Sequence, residues 1–85
     1  MNQAQLETLL AIVDQGTFED AAFALGITPS AVSQRIKALE KVAGRVLLRR
    51  TNPVTATEAG EVLVQAARRM ALLQAETMAS LHSRL

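Results

Sequence analysis

The stretch Ala21-Ala22-Phe23-Ala24-Leu25-Gly26-Ile27-Thr28-Pro29 constrains the fold more than any other part of this chain. Gly26 supplies a left-handed residue that ends a helix at little steric cost. Two residues on, Thr28 is a good N-cap, and Pro29 suits the first helical position, where a backbone N–H has no partner to lose. A stop and a start this close turn the chain sharply. Upstream, Thr17 caps a short helix whose inward face is Phe18, Ala21, Ala22 and Leu25. The small pair Ala21 and Ala22 lets the next helix cross closely. Two short helices joined by a turn of this length containing Gly are the sequence form of a helix-turn-helix.

The helix that starts at Thr28 carries two unlike stripes. Val32, Ile36, Leu39 and Ala43 recur at helical spacing and form a face for burial. Ser30, Ser33, Gln34, Lys37 and Lys41 recur beside them as short hydrogen-bonding groups and cations, with no acid among them. Glu40 falls outside both stripes, and Arg35 lies between them, either as part of the cationic surface or paired with an acid of another helix. A merely solvated face mixes Glu with Lys, because opposite charges at i,i+4 support a helix. This face suits an anionic partner that also presents hydrogen-bonding edges, as duplex DNA does in its major groove. Gln34 has the paired donor and acceptor that match adenine, and serine can meet several bases.

The net charge is +1, but its distribution is uneven. Residues 1–27 hold Glu7, Asp14, Glu19 and Asp20 with no Lys or Arg, a charge of −4. Residues 28–57 hold Arg35, Lys37, Lys41, Arg45, Arg49 and Arg50 against Glu40 alone, a charge of +5. Residues 58–85 balance three of each sign. A basic block of thirty residues opening on the second helix of the turn is the footprint a phosphate backbone selects.

Around this pair the chain is helical with one interruption. Leu6, Leu9, Leu10 and Val13 predict a first amphipathic helix ending near Gly16. After Gly44, the apolar run Val46-Leu47-Leu48, the turn residues Thr51-Asn52-Pro53 and the return Val54-Thr55-Ala56 predict a small β-hairpin with Arg49 and Arg50 near its tip. Phosphate or minor-groove contact from Arg45, Arg49 and Arg50 adds salt-dependent affinity by counterion release. Thr57 then opens a last helix, with Glu58 and Glu61 in its first turn and no breaker up to Leu85. Ala59, Leu63, Ala66, Met70, Leu73, Thr77 and Ser80 alternate by four and three along it. Ala67, Ala71, Met78 and Leu81 form a second stripe. The seam Leu63, Ala66, Met70, Leu73 and Thr77 is the candidate homodimer contact, with packing on helix 1 of the same chain as the competing use. Arg68 and Arg69 read as a solvated face, and His82 as an exposed residue near the end.

Other classes find little support. The chain has no Cys and one His, so thiolate sites and a zinc site are excluded by ligand count, and no cofactor, metal or catalytic residue is expected. There is no phosphate-cradling Gly loop, so an enzyme is not expected. No secretory signal or bilayer-length apolar run is legible, and a cytoplasmic protein with no membrane partner is the expectation. At 85 residues the core is modest, which favours dimerisation.

Gly16-Thr17-Phe18, Ala21-Ala22, Leu25, Ala31-Val32-Ser33, Ile36, Leu39-Glu40, Gly44, Arg50-Thr51 and Thr57-Glu58-Ala59-Gly60 together resemble the DNA-binding domain of LysR-type transcriptional regulators. The resemblance covers nearly the whole chain. It implies a mainly α winged helix-turn-helix over residues 1–57, a three-helix core with a short hairpin wing, then a linker helix over 58–85 that pairs antiparallel in a dimer. It also implies an effector-binding domain outside these residues. Most members have Gln and then Pro or Ser where this chain has Pro29 and Ser30, and a longer wing with Phe at the place of Leu48 and a basic residue near Thr55. The short wing and Thr28 to Arg35 are more similar to the subgroup that senses basic amino acids and controls a lysine/arginine exporter. The expected function is binding of double-stranded DNA, at a pseudo-palindromic operator, by a homodimer. Thr28, Pro29, Ser30, Ser33, Gln34, Lys37, Arg49 and Arg50 form the expected DNA surface. A helical adaptor that keeps the helix-turn-helix shape but binds protein is the alternative.

Overall fold

A computed structural model describes residues 1–84, with the elements α1 (Gln3–Gln15), α2 (Phe18–Leu25), α3 (Pro29–Ala43), β1 (Leu48–Arg49), β2 (Thr55–Ala56) and α4 (Glu58–Arg84). Leu85, to which the last helix was expected to run, lies outside the described residues.

Each helix starts at a side-chain cap. The Asn2 carboxamide oxygen accepts from the Gln5 N–H at 2.8 Å while the Gln5 side chain accepts from the Asn2 N–H at 3.1 Å, a reciprocal box that opens α1. Thr17, Thr28 and Thr57 each accept from the backbone N–H three residues on, at 3.0 Å in every case. The end of α2 is a Schellman arrangement. Gly26, at φ 68°, donates to the Phe23 carbonyl, and Ile27 donates to the Ala22 carbonyl at 3.0 Å. Ile27 thereby packs against the core and leads straight into the Thr28 cap. This fixes the angle between α2 and α3.

The core gathers Leu9 and Ile12 of α1, Ala21 and Ala22 of α2, Val32, Ile36 and Leu39 of α3, then Leu47, Leu48, Ala56 and Val64. Helices α1, α2 and α3 all touch one another. Thr8 is fully buried as well, its hydroxyl donating to the Ala4 carbonyl at 2.7 Å. Ile12 and Thr8 lie outside the stripe expected for helix 1, because α1 is covered on more than one side. Ala43 was expected in the buried stripe of α3 and is exposed, since the last turn of α3 runs past the edge of the domain.

The hairpin is antiparallel, pairing Leu48 with Ala56 and Arg49 with Thr55. Alternation puts Leu48 and Ala56 inward and Arg49 and Thr55 outward. It is shorter than expected at both ends. Val46 is exposed and gives its carbonyl to the Thr57 hydroxyl at 2.7 Å, while Val54 donates its N–H to the Gly16 carbonyl at 2.8 Å. The turn between the strands has a cis Asn52–Pro53 bond. Gly60 is buried under the hairpin, and a Cβ there would overlap the Leu47 carbonyl oxygen. Gly60, Val64 and Ala67 are the buried residues of α4; from Arg68 to Arg84 the helix is exposed throughout.

Candidate nucleic-acid interface

Three properties of α3 set up its outer face. Burial of Val32, Ile36 and Leu39, none with any exposed area, pins the helix rotationally. Ser30, Gln34, Lys37 and Lys41 are then exposed and Ser33 half-buried, all on the opposite side. Thr28 and Pro29 are exposed at the N-terminal end, the Thr28 hydroxyl occupied as the cap. The one acid of the helix is turned away: Glu40 Oε2 accepts from the Leu47 N–H at 2.8 Å, so its charge anchors the connection to the hairpin. Of the two uses open to Arg35, pairing with an acid is not seen among the described residues. Arg35 is half-buried and its Nη1 donates to the Thr8 hydroxyl at 3.4 Å, bracing α3 against α1.

Arg49 and Arg50, at the hairpin, are not free arms. Arg49 Nη1 donates to the Ala56 carbonyl at 2.7 Å, across the two strands. The Arg50 guanidinium lies 4.2 Å from the centroid of the Phe18 ring, a cation–π contact that draws it back over the start of α2. Both residues are exposed, so each cation stays at the surface in a held orientation. Arg45 is exposed in the connection after α3.

The seam on α4 divides. Leu63 and Ala66 are half-buried, with Leu63 packed against the core of its own chain. Met70, Leu73 and Thr77 are exposed, Leu73 by 66%. Arg68 lies on a solvated face, as expected, but is not free. Its guanidinium meets the Asp14 carboxylate through two hydrogen bonds, at 2.8 and 3.4 Å, tying α4 to the end of α1. The bond to Asp14 holds the Arg68 guanidinium above its ordinary range.

Sequence reasoning missed two features. Phe23 stands in solvent, 91% exposed, because it falls on the face of α2 opposite to Ala21 and Ala22. The Phe18–Arg50 contact has no sequence signal, since thirty-two positions separate the partners. Among the described residues no group of three His, Cys, Asp or Glu is placed to hold a metal ion. No helix among them is long and apolar enough to cross a membrane.

Three packed helices, a two-stranded hairpin between the third and fourth, and an outward cationic face on the third define a winged helix-turn-helix. The chain belongs to the LysR family, since residues 3–61 match the model of the bacterial regulatory helix-turn-helix proteins, lysR family. It is 69% identical over 85 residues to the lysine export transcriptional regulatory protein LysG of Corynebacterium efficiens, covering 100% of this chain and 29% of that protein. Full-length LysG from Corynebacterium glutamicum with bound effector Arg superposes with a TM-score of 0.95 at 68% identity, over 99% of this chain and 29% of that one. A BenM DBD bound to benA site 1 DNA superposes with a TM-score of 0.85 at 32% identity, over 99% of this chain and 94% of that one. This chain thus spans 29% of the length of the LysG proteins it matches.

Proposed function

We propose that this chain is the DNA-binding portion of a bacterial transcriptional regulator and binds double-stranded DNA as a homodimer in the cytoplasm. The observation that carries the reading is the exposed, acid-free stripe of α3, in a chain segment whose hairpin arginines also stay at the surface. Ser30, Ser33 and Gln34 meet base edges in the major groove from the N-terminal half of α3, where short side chains let the helix approach closely. Thr28, Pro29 and Lys37 flank them along the backbone, and Lys37 neutralises a phosphate. Arg49 and Arg50 hold the wing on the adjacent phosphates. The wing helix-turn-helix occupies residues 1–57 and the linker helix 58–85, whose seam of Leu63, Ala66, Met70, Leu73 and Thr77 joins two copies. Two-fold symmetry then matches a pseudo-palindromic operator. The likeness to LysG supports control of basic amino acid export, with lysine or arginine acting through an effector-binding part outside these residues.

The test is a titration of a selected operator and a scrambled duplex at several salt concentrations. Lys37→Ala should weaken binding to both and flatten the slope of log K against log salt by about one unit per domain engaged. Ser33→Ala and Gln34→Ala should instead narrow the gap between operator and scrambled DNA. A helical adaptor would dimerise and leave the mobility of both duplexes unchanged.

A further inference from the structure

The exposed length of α4 carries a pattern that specifies how two copies meet. The seam positions Ala59, Leu63, Ala66, Met70, Leu73, Thr77, Ser80 and Arg84 map onto themselves when reversed about the midpoint between Ala71 and Leu72. Reversal sets Met70 against Leu73, Ala66 against Thr77, and Leu63 against Ser80. Large side chains thus meet at the centre, and each outer layer contains at least one small residue. The centre of the seam lies about a third of a turn round the helix from Val64 and Ala67, which face the chain's own domain.

Charge selects among the registers that such a seam allows. Arg69 and Glu76 each immediately precede a seam residue, so they lie on one flank, and both are exposed. The one ion pair among the described residues is Arg68–Asp14, which leaves Arg69 and Glu76 unpaired within the chain. In an antiparallel pair centred between Ala71 and Leu72, Arg69 comes opposite Glu76 of the partner subunit, twice by symmetry. A slip of one heptad keeps the seam in contact but sets Arg69 against Arg69 of the partner subunit. The opposite slip sets Glu76 against Glu76 of the partner subunit. A parallel pair would leave the same two charges facing Gln74 and Leu81.

We propose that Arg69 and Glu76 fix the register of an antiparallel α4 pair about the midpoint between Ala71 and Leu72. The proposal rests on the homodimer reading above and deepens it. In this register Ser80 of the partner subunit comes beside Leu63, at the groove walled by Ala43, Leu47, Ala59 and Leu63. The register also sets the spacing of the two DNA-binding faces. A one-heptad slip displaces the two domains by about 10 Å, at 1.5 Å per helical residue, or about three base pairs at 3.4 Å each.

The chain has no Cys, so engineered thiols report the register directly. Ala66→Cys protein mixed with Thr77→Cys protein should form a disulfide-linked heterodimer under mild oxidation. Cross-linking instead of Ala66→Cys with Met70→Cys, or of Leu73→Cys with Thr77→Cys, would show a slipped pair and overturn the proposal while leaving the dimer intact. A monomer by sedimentation, with no mixture cross-linking, would overturn both. Arg69→Glu should raise the dimer dissociation constant about tenfold, and Arg69→Glu with Glu76→Arg should return it to within about threefold of the parent, given two flanking pairs of ordinary strength. Loss in the single variant without recovery in the double one would also overturn it.

Discussion

Glu40 shows how one carboxylate can serve a cationic face by leaving it. Its side chain accepts the Leu47 N–H and so holds the start of the hairpin against α3. Replacing it with Ala strands that donor in a partly buried position, and Glu40→Ala should cost about 1–2 kcal/mol in urea unfolding. Gly60 is a second residue whose role is spatial. In most helices Gly→Ala gains about 1 kcal/mol of helix propensity. Here the added methyl overlaps the Leu47 carbonyl oxygen, so Gly60→Ala should destabilise by about 1–3 kcal/mol, as overpacking does, in the same measurement. At Phe18 the ring both packs against the core and steadies Arg50. Phe18→Leu keeps the packing and removes the π face. It should lower affinity for any duplex about two- to five-fold, the scale of an exposed cation–π contact, without altering the gap between operator and scrambled DNA.

Among the elements, α2 and α3 were the most legible from sequence, because both ends of each are written in residues with one evident local use. Thr17, Gly26, Thr28 and Gly44 act through contacts within a few positions, and the structure finds each of them at a helix boundary. What could not be read depends on which elements meet. Thr8 and Ile12 are buried because α2, α3 and α4 all lie against α1, an arrangement no single periodicity encodes. Val46 looked like a strand residue by composition, yet its carbonyl is taken by the Thr57 hydroxyl and its side chain is left outside. The polar stripe of α3 was legible, and Ser30, Gln34, Lys37 and Lys41 are exposed along it, whereas the restraint of Arg49 and Arg50 was not legible, since their partners are a carbonyl across the hairpin and a ring on another helix. The link between α1 and α4 was likewise hidden. Arg68 and Asp14 are each nearly half exposed, so their contribution is screened by salt. Asp14→Asn should lower the melting temperature slightly in dilute buffer and not at all at high salt. Because Asp14 raises the Arg68 pKa, that stabilisation is fully present below the ordinary guanidinium range and is lost only as pH climbs through the raised value. The arginine side of the pair is therefore insensitive to pH under working conditions.

At the scale of the whole molecule, a domain with a core of short helices carries a helix of 27 residues, about 40 Å long by its rise per residue. Its far half has no domain of its own to cover it. In the proposed dimer a second copy covers that half and sets two α3 faces at a fixed separation, so that operator spacing would be a property of α4. Charge is divided along the chain, with the acids of residues 1–27 on α1 and α2 and six of the nine Lys and Arg between residues 28 and 57. The most direct measurement is a titration of the uniformly labelled chain with a selected operator duplex, following backbone amide signals by NMR. Ser30, Ser33, Gln34 and Lys37 of α3, with Arg49 and Arg50 of the hairpin, are expected to shift most. Shifts confined to α1 or the α4 seam, with those six signals unmoved, would contradict the assignment of α3 as the face that meets DNA.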